Sequence, residues 1–78
     1  MDSRLRELRK KKGITQMRIQ MEIGIDQSDY SKIERGERYM SLEQCRRLAL
    51  LLGTSMDYLV GLTDNPEPYA RSKQYQNE

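Results

Sequence analysis

Residues 14–36, ITQMRIQMEIGIDQSDYSKIERG, decide the fold, because they read as two short helices hinged at a glycine. Thr15 offers an N-cap hydroxyl, Ile19 and Ile23 put apolar groups on one helical face, and Gly24 stands where the chain turns without a Cβ penalty. A second helix starts at once. Asp26 can accept hydrogen bonds from its first backbone N–H groups, Tyr30 and Ile33 form its apolar stripe, and Gly36 stops it. Two helices joined by about three to four residues with a glycine in the joint make the helix-turn-helix unit, which lays its second helix in a DNA major groove.

Outward from this pair, glycines at 13, 24, 36, 53 and 61 divide the chain into segments of helical length, each with apolar residues three or four apart. The pattern predicts an all-α, five-helix bundle. The first helix, over 2–12, turns Leu5 and Leu8 inward and ends in Lys10, Lys11 and Lys12, cations suited to the negative end of a helix dipole. The fourth opens with a capping box, Ser41 with Gln44 three residues on, and runs through Leu42, Cys45, Leu48, Ala49 and Leu52 to Gly53. The fifth begins near Thr54 or Ser55, with Asp57 in its first turn, and contributes Met56, Leu59, Val60 and Leu62. Beyond Thr63, the run Asp64, Asn65, Pro66, Glu67, Pro68 cannot continue a helix. The chain therefore divides into a helix-turn-helix domain, 1–63, and an extended or disordered tail, 64–78, in which Tyr69 and Tyr75 could pack on a partner.

Seventy-eight residues are one small domain, and so short a chain buries only about 60% of the surface its unfolded form exposes. One cysteine precludes an internal disulfide framework, and the absence of histidine removes both an ordinary zinc finger and the commonest general base. Cys45, on the core face of the fourth helix, reads as a small buried hydrophobe. No nucleophile–base pair or Gly-rich phosphate loop appears, so neither catalysis, nor a metal or cofactor, nor a small-molecule ligand is expected. No apolar run approaches the roughly 20 residues of a membrane span, and no signal peptide is evident, which predicts a soluble cytoplasmic protein without a membrane partner. Net charge is only +2, but its placement is uneven: Arg4, Arg6, Arg9, Lys10, Lys11, Lys12 and Arg18 stand against the single acid Glu7 beside the helix pair.

Together these residues resemble the lambda-repressor-like, or XRE-type, helix-turn-helix regulators, which include phage repressor and Cro proteins. The resemblance covers roughly residues 3–62. It is carried by LRELRKKKGITQ, the glycine-jointed pair, SKIERG, and SLEQCRRLALLLGTSMDYL. It implies a compact five-helix DNA-binding domain, usually dimeric, that regulates transcription from a palindromic operator. There are two departures. Gln20 falls where the family usually has alanine, so either the two helices sit slightly apart or the side chain snorkels outward, and Met40 stands where proline is frequent.

A recognition helix over 27–35 that turns Tyr30 and Ile33 inward leaves Gln27, Ser28, Ser31 and Lys32 for base edges. Gln27 can pair bidentately with adenine N6 and N7, Lys32 can donate to guanine O6 and N7, and Ser28 can bond several edges. The resemblance adds that the family commonly reads a base with glutamine at the position of Gln27, and implies that Gln16 anchors a phosphate at the start of the second helix. Arg18, Arg35 and Arg38 are further phosphate candidates. Asp26 and Asp29, acids near a polyanion, are placed to cap the recognition helix and favour its dipole. The family match also implies an ion pair between Arg9 and Glu34. Because one module seldom reaches regulatory affinity alone, a homodimer is expected, with Tyr58, Val60, Leu62 and Tyr69 as contact candidates. The competing reading is a protein-interaction module, antitoxin-like or anti-repressor-like, that keeps the helix-turn-helix shape; Asp26, Asp29 and Glu34 on the reading helix are what support it.

Overall fold

Among the described residues, four helices open on a side chain that satisfies an orphan backbone N–H. In the computed structural model, which describes residues 4–70, the elements are α1 (Arg4–Lys11), α2 (Gln16–Ile19, continued as a π-helical turn over Gln20–Gly24), α3 (Gln27–Glu34), α4 (Leu42–Leu52) and α5 (Met56–Val60). Thr15 accepts from the Arg18 N–H, Asp26 from Ser28 and Ser55 from Tyr58. At Ser41 the capping box is complete: its hydroxyl accepts from Gln44 N–H at 3.0 Å while the Gln44 side chain accepts from Ser41 N–H at 2.9 Å. Losing such a cap costs about 1 kcal/mol, so Ser41→Ala is expected to lower the melting temperature by roughly 4–8 °C. An unchanged melt would show that α4 is held by its packing alone.

The domain is all-α, with no strand among the described residues. Its core gathers Leu5 and Leu8 of α1, Ile19 and Ile23, Tyr30 and Ile33 of α3, Cys45, Leu48, Ala49 and Leu52 of α4, and Leu59 of α5. Ile14 and Ile25 join it from the two connections flanking α2, so the loops are pinned as well as the helices. At Gly24 the backbone takes φ +74°, the left-handed region in which a side chain is strained, and the chain reverses into α3.

Two sequence expectations are revised. Leu42 was expected in the core but is 77% exposed: as the first helical residue after Ser41 it projects past the packed face that begins at Cys45. Of the residues assigned to the fifth helix, Leu59 is buried and Met56 packs at the core's edge, whereas Val60 and Leu62 point outward. Gln20 is half-buried, and it is here that α2 widens from α- to π-helical hydrogen bonding, so the bulk in place of alanine coincides with a roomier turn. Met40, in place of the family's proline, is half-buried against the core.

After α5 the chain leaves helical structure. It is extended, as its prolines require, but through residue 69 it is strapped to the domain. Arg4 donates to the carbonyls of Tyr58 (3.1 Å) and Thr63 and pairs with Asp64, while its guanidinium lies 4.7 Å from the Tyr58 ring centroid. The Thr54 hydroxyl, fully buried, donates to Pro66 O at 2.7 Å, and Tyr69 OH donates to Asp57 at 2.8 Å. Tyr75 lies outside the described residues.

Candidate nucleic-acid interface

The outward face of α3 is set by what its inner face buries. Tyr30 and Ile33 drop into the core and Glu34 is only 3% exposed, so the remaining positions of α3 are forced outward. Gln27, Ser28 and Lys32 are exposed, with Arg35 at the C-cap. Ser31 differs: it is half-buried, and its hydroxyl donates to Gln16 Oε1 at 3.4 Å.

Gln16 is likewise held within the protein. Its amide donates to Glu34 Oε1 at 3.1 Å, placing it at a polar cleft of about 260 Å³ where α1, α2 and α3 meet, walled by Arg6 and Arg35. Beneath lies the ion pair of Arg9 and Glu34. Arg9 Nε donates to Oε2 at 2.6 Å and Nη2 to Oε1 at 3.3 Å, and Nη1 donates to Ile14 O at 3.0 Å. Both side chains are nearly removed from solvent. Burial alone would raise the Glu34 carboxyl, but the Arg9 hydrogen bond and charge, with Gln16, hold it below the usual glutamate range. The Arg9 guanidinium is in turn raised, chiefly by its bond to Glu34. The Tyr30 hydroxyl is buried near this pair without a hydrogen bond of ordinary geometry, and burial first, then Glu34, pushes its ionisation upward. One network thus joins α1, the start of α2 and the end of α3, and ties α3 to its neighbours.

Around this centre the phosphate candidates are paired within the chain. Arg35 contacts Glu37 at 2.5 Å, Arg38 contacts Asp29 at 2.8 Å and Arg18 contacts Glu22 at 3.5 Å. Asp26 caps α3, whereas Asp29 also meets Arg38 across the turn that follows the helix. Sequence reasoning missed both the Asp29–Arg38 and Glu37–Arg35 pairs. The second could have been found from two opposite charges flanking Gly36; the first, nine residues apart across a turn, leaves no periodic trace.

Of the dimer candidates, Tyr58 is half-buried under Arg4 and Tyr69 is bound to Asp57, while Val60 (56%) and Leu62 (77%) are exposed. These last two line an apolar groove of about 780 Å³ together with Tyr39, Met40, Leu42 and Met56; Tyr39 is 96% exposed. No cluster of metal-ligating side chains occurs among the described residues, and no helix there is long and apolar enough to cross a membrane.

The helix-turn-helix domain family model matches residues 3–65, and the chain belongs to that family. It is also 39% identical over 70 residues to the uncharacterized HTH-type transcriptional regulator YobD of Bacillus subtilis (strain 168). The alignment takes in 90% of this chain and 62% of that protein, so the chain spans less than two thirds of its relative's length. Both findings agree with the resemblance to XRE-type regulators. No solved structure matches the chain.

Proposed function

We propose that this protein is a cytoplasmic, sequence-specific DNA-binding transcriptional regulator that places α3 in the major groove and acts without catalysis. The observation that carries the reading is the outward row Gln27, Ser28 and Lys32, held clear of the core by the burial of Tyr30, Ile33 and Glu34 on the opposite face. The N-terminal residues of a recognition helix are those that meet base edges, and Gln27 is the first residue of α3. Arg18, Arg35 and Arg38, with Gln16 at the start of α2, border this row and supply phosphate contacts that set register. Ser31 serves chiefly to hold Gln16.

Titration of random and selected duplexes over a salt series tests the reading. A DNA binder weakens linearly in log K against log salt, and selection from a random pool returns an inverted repeat if the regulator, here read as a repressor, uses a palindromic operator. Salt-independent or absent binding would favour the protein-interaction reading instead.

The same reading takes a homodimer, with the groove lined by Val60, Leu62 and Tyr39 as its contact, since one module buries only about 600–1,000 Å² on DNA. Two-fold symmetry then sets the reading helices about 34 Å apart. Leu62→Glu is expected to shift the sedimenting species towards monomer. A parent protein that binds only 1:1, on sites without repeats, would rule the dimer out.

A further inference from the structure

The arginines that border the reading helix do not stand open to solvent. Arg35 and Glu37 are 2.5 Å apart and Arg38 and Asp29 2.8 Å apart, yet all four side chains are between about a third and just over half exposed. Pairs so exposed add little to stability. Asp29 has a local role in the first turn of α3, where an acid suits the helix dipole. Glu37 has none: it follows the C-terminal end of α3, where a negative charge opposes the dipole, and it carries no cap. Arg35 holds its carboxyl below the usual glutamate range, so it stays charged at neutral pH.

Resting on the DNA-binding reading above, we propose that Glu37 and Asp29 occupy in the free protein the guanidinium faces that DNA phosphates would take, so that a duplex must displace a carboxylate before Arg35 or Arg38 can engage its backbone. Binding to random DNA draws almost wholly on cation–phosphate attraction and the release of condensed counterions. Arginines already neutralised by their own chain contribute less to it, and each displaced carboxylate is left beside a polyanion. An operator adds base contacts through Gln27 and its neighbours that do not pass through these arginines. The two acids thereby lower the electrostatic part of binding by the same amount on any duplex, and leave the base contacts a larger share of what holds an operator.

The test uses the full chain, a fluorescent random-sequence duplex and a salt series, with Glu37→Gln, Asp29→Asn, Arg35→Gln and the double variant Glu37→Gln/Arg35→Gln. Glu37→Gln is expected to tighten random binding about two- to fivefold at low salt, the strength of an exposed ion pair. It should also steepen log K against log salt by up to about 0.9. Asp29→Asn should do the same through Arg38; Glu37→Gln, outside every helix, keeps the test valid if Asp29→Asn unfolds. Measured against Arg35→Gln alone, the double variant should show no gain. No gain in Glu37→Gln overturns the proposal, and so does a gain that survives loss of Arg35, which would be the generic effect of removing an acid. A parent chain that binds no duplex at any salt fails the DNA-binding reading itself and takes this proposal with it.

Discussion

Arg9→Ala is expected to cost about 3–5 kcal/mol of folding stability, the usual penalty for removing one partner of a buried pair. For a domain of this size that amounts to a fall of more than roughly 12 °C in melting temperature. The size of the effect follows from what is left behind. Without the guanidinium, Glu34 keeps a single neutral donor, Gln16, for a carboxylate almost wholly out of water, and the Ile14 carbonyl loses its bond to Nη1. Replacing both partners with apolar groups, as in Arg9→Met/Glu34→Leu, should recover much of the loss, because the desolvation cost then disappears. A melt of Arg9→Ala within a degree or two of the parent would refute the argument. The same pair sets a pH response. Because the native Glu34 carboxyl lies below its ordinary value of 4.5, its contribution is fully present above that value and is lost as pH falls through the lower native one. Stability should therefore fall more steeply with acid in the parent than in the Arg9→Met/Glu34→Leu variant.

Gln27→Ala is expected to weaken operator binding by about 1–3 kcal/mol and to relax base preference at a single position, leaving affinity for random duplex nearly unchanged. Arg35→Ala should behave in the opposite way, weakening every duplex alike and lowering the salt slope by at most about 0.9. The contrast rests on position, since Gln27 opens α3 on its exposed face and Arg35 caps its far end beside Glu37. Equal losses on specific and random DNA in both variants would sink the division of labour.

What could be read from the chain alone was whatever is encoded over a few residues. The caps at Thr15, Asp26 and Ser41 bond two or three positions away, and the apolar spacing of Ile19 with Ile23 or Tyr30 with Ile33 is a property of the helix itself. Gln27, Ser28 and Lys32 were legible as outward for the same reason. Ser31 and Gln16 were not, because Gln16 is drawn inward by Glu34, 18 residues on, and Ser31 by Gln16, 15 residues back, which meet only once α2 packs on α3. Leu42 obeys the helical period, yet at the first turn of α4 there is no neighbour to bury it. The strap from Thr63 to Tyr69 depends on Arg4 and Thr54, whose partners no local pattern names.

The Arg4 contacts also bear on the order in which the molecule assembles. Caps and adjacent helices close over short stretches of chain, which favours folding in microseconds to milliseconds. Arg4, by contrast, reaches Tyr58, Thr63 and Asp64 across 54 to 60 residues. Closing so long a loop has an entropic cost before any compensating contact exists, which places the strap late, after the helices have docked. Contacts absent from the transition state slow unfolding without hastening folding. The strap is thus expected to act as a kinetic clasp, so that Arg4→Ala speeds unfolding while leaving the folding rate nearly unchanged.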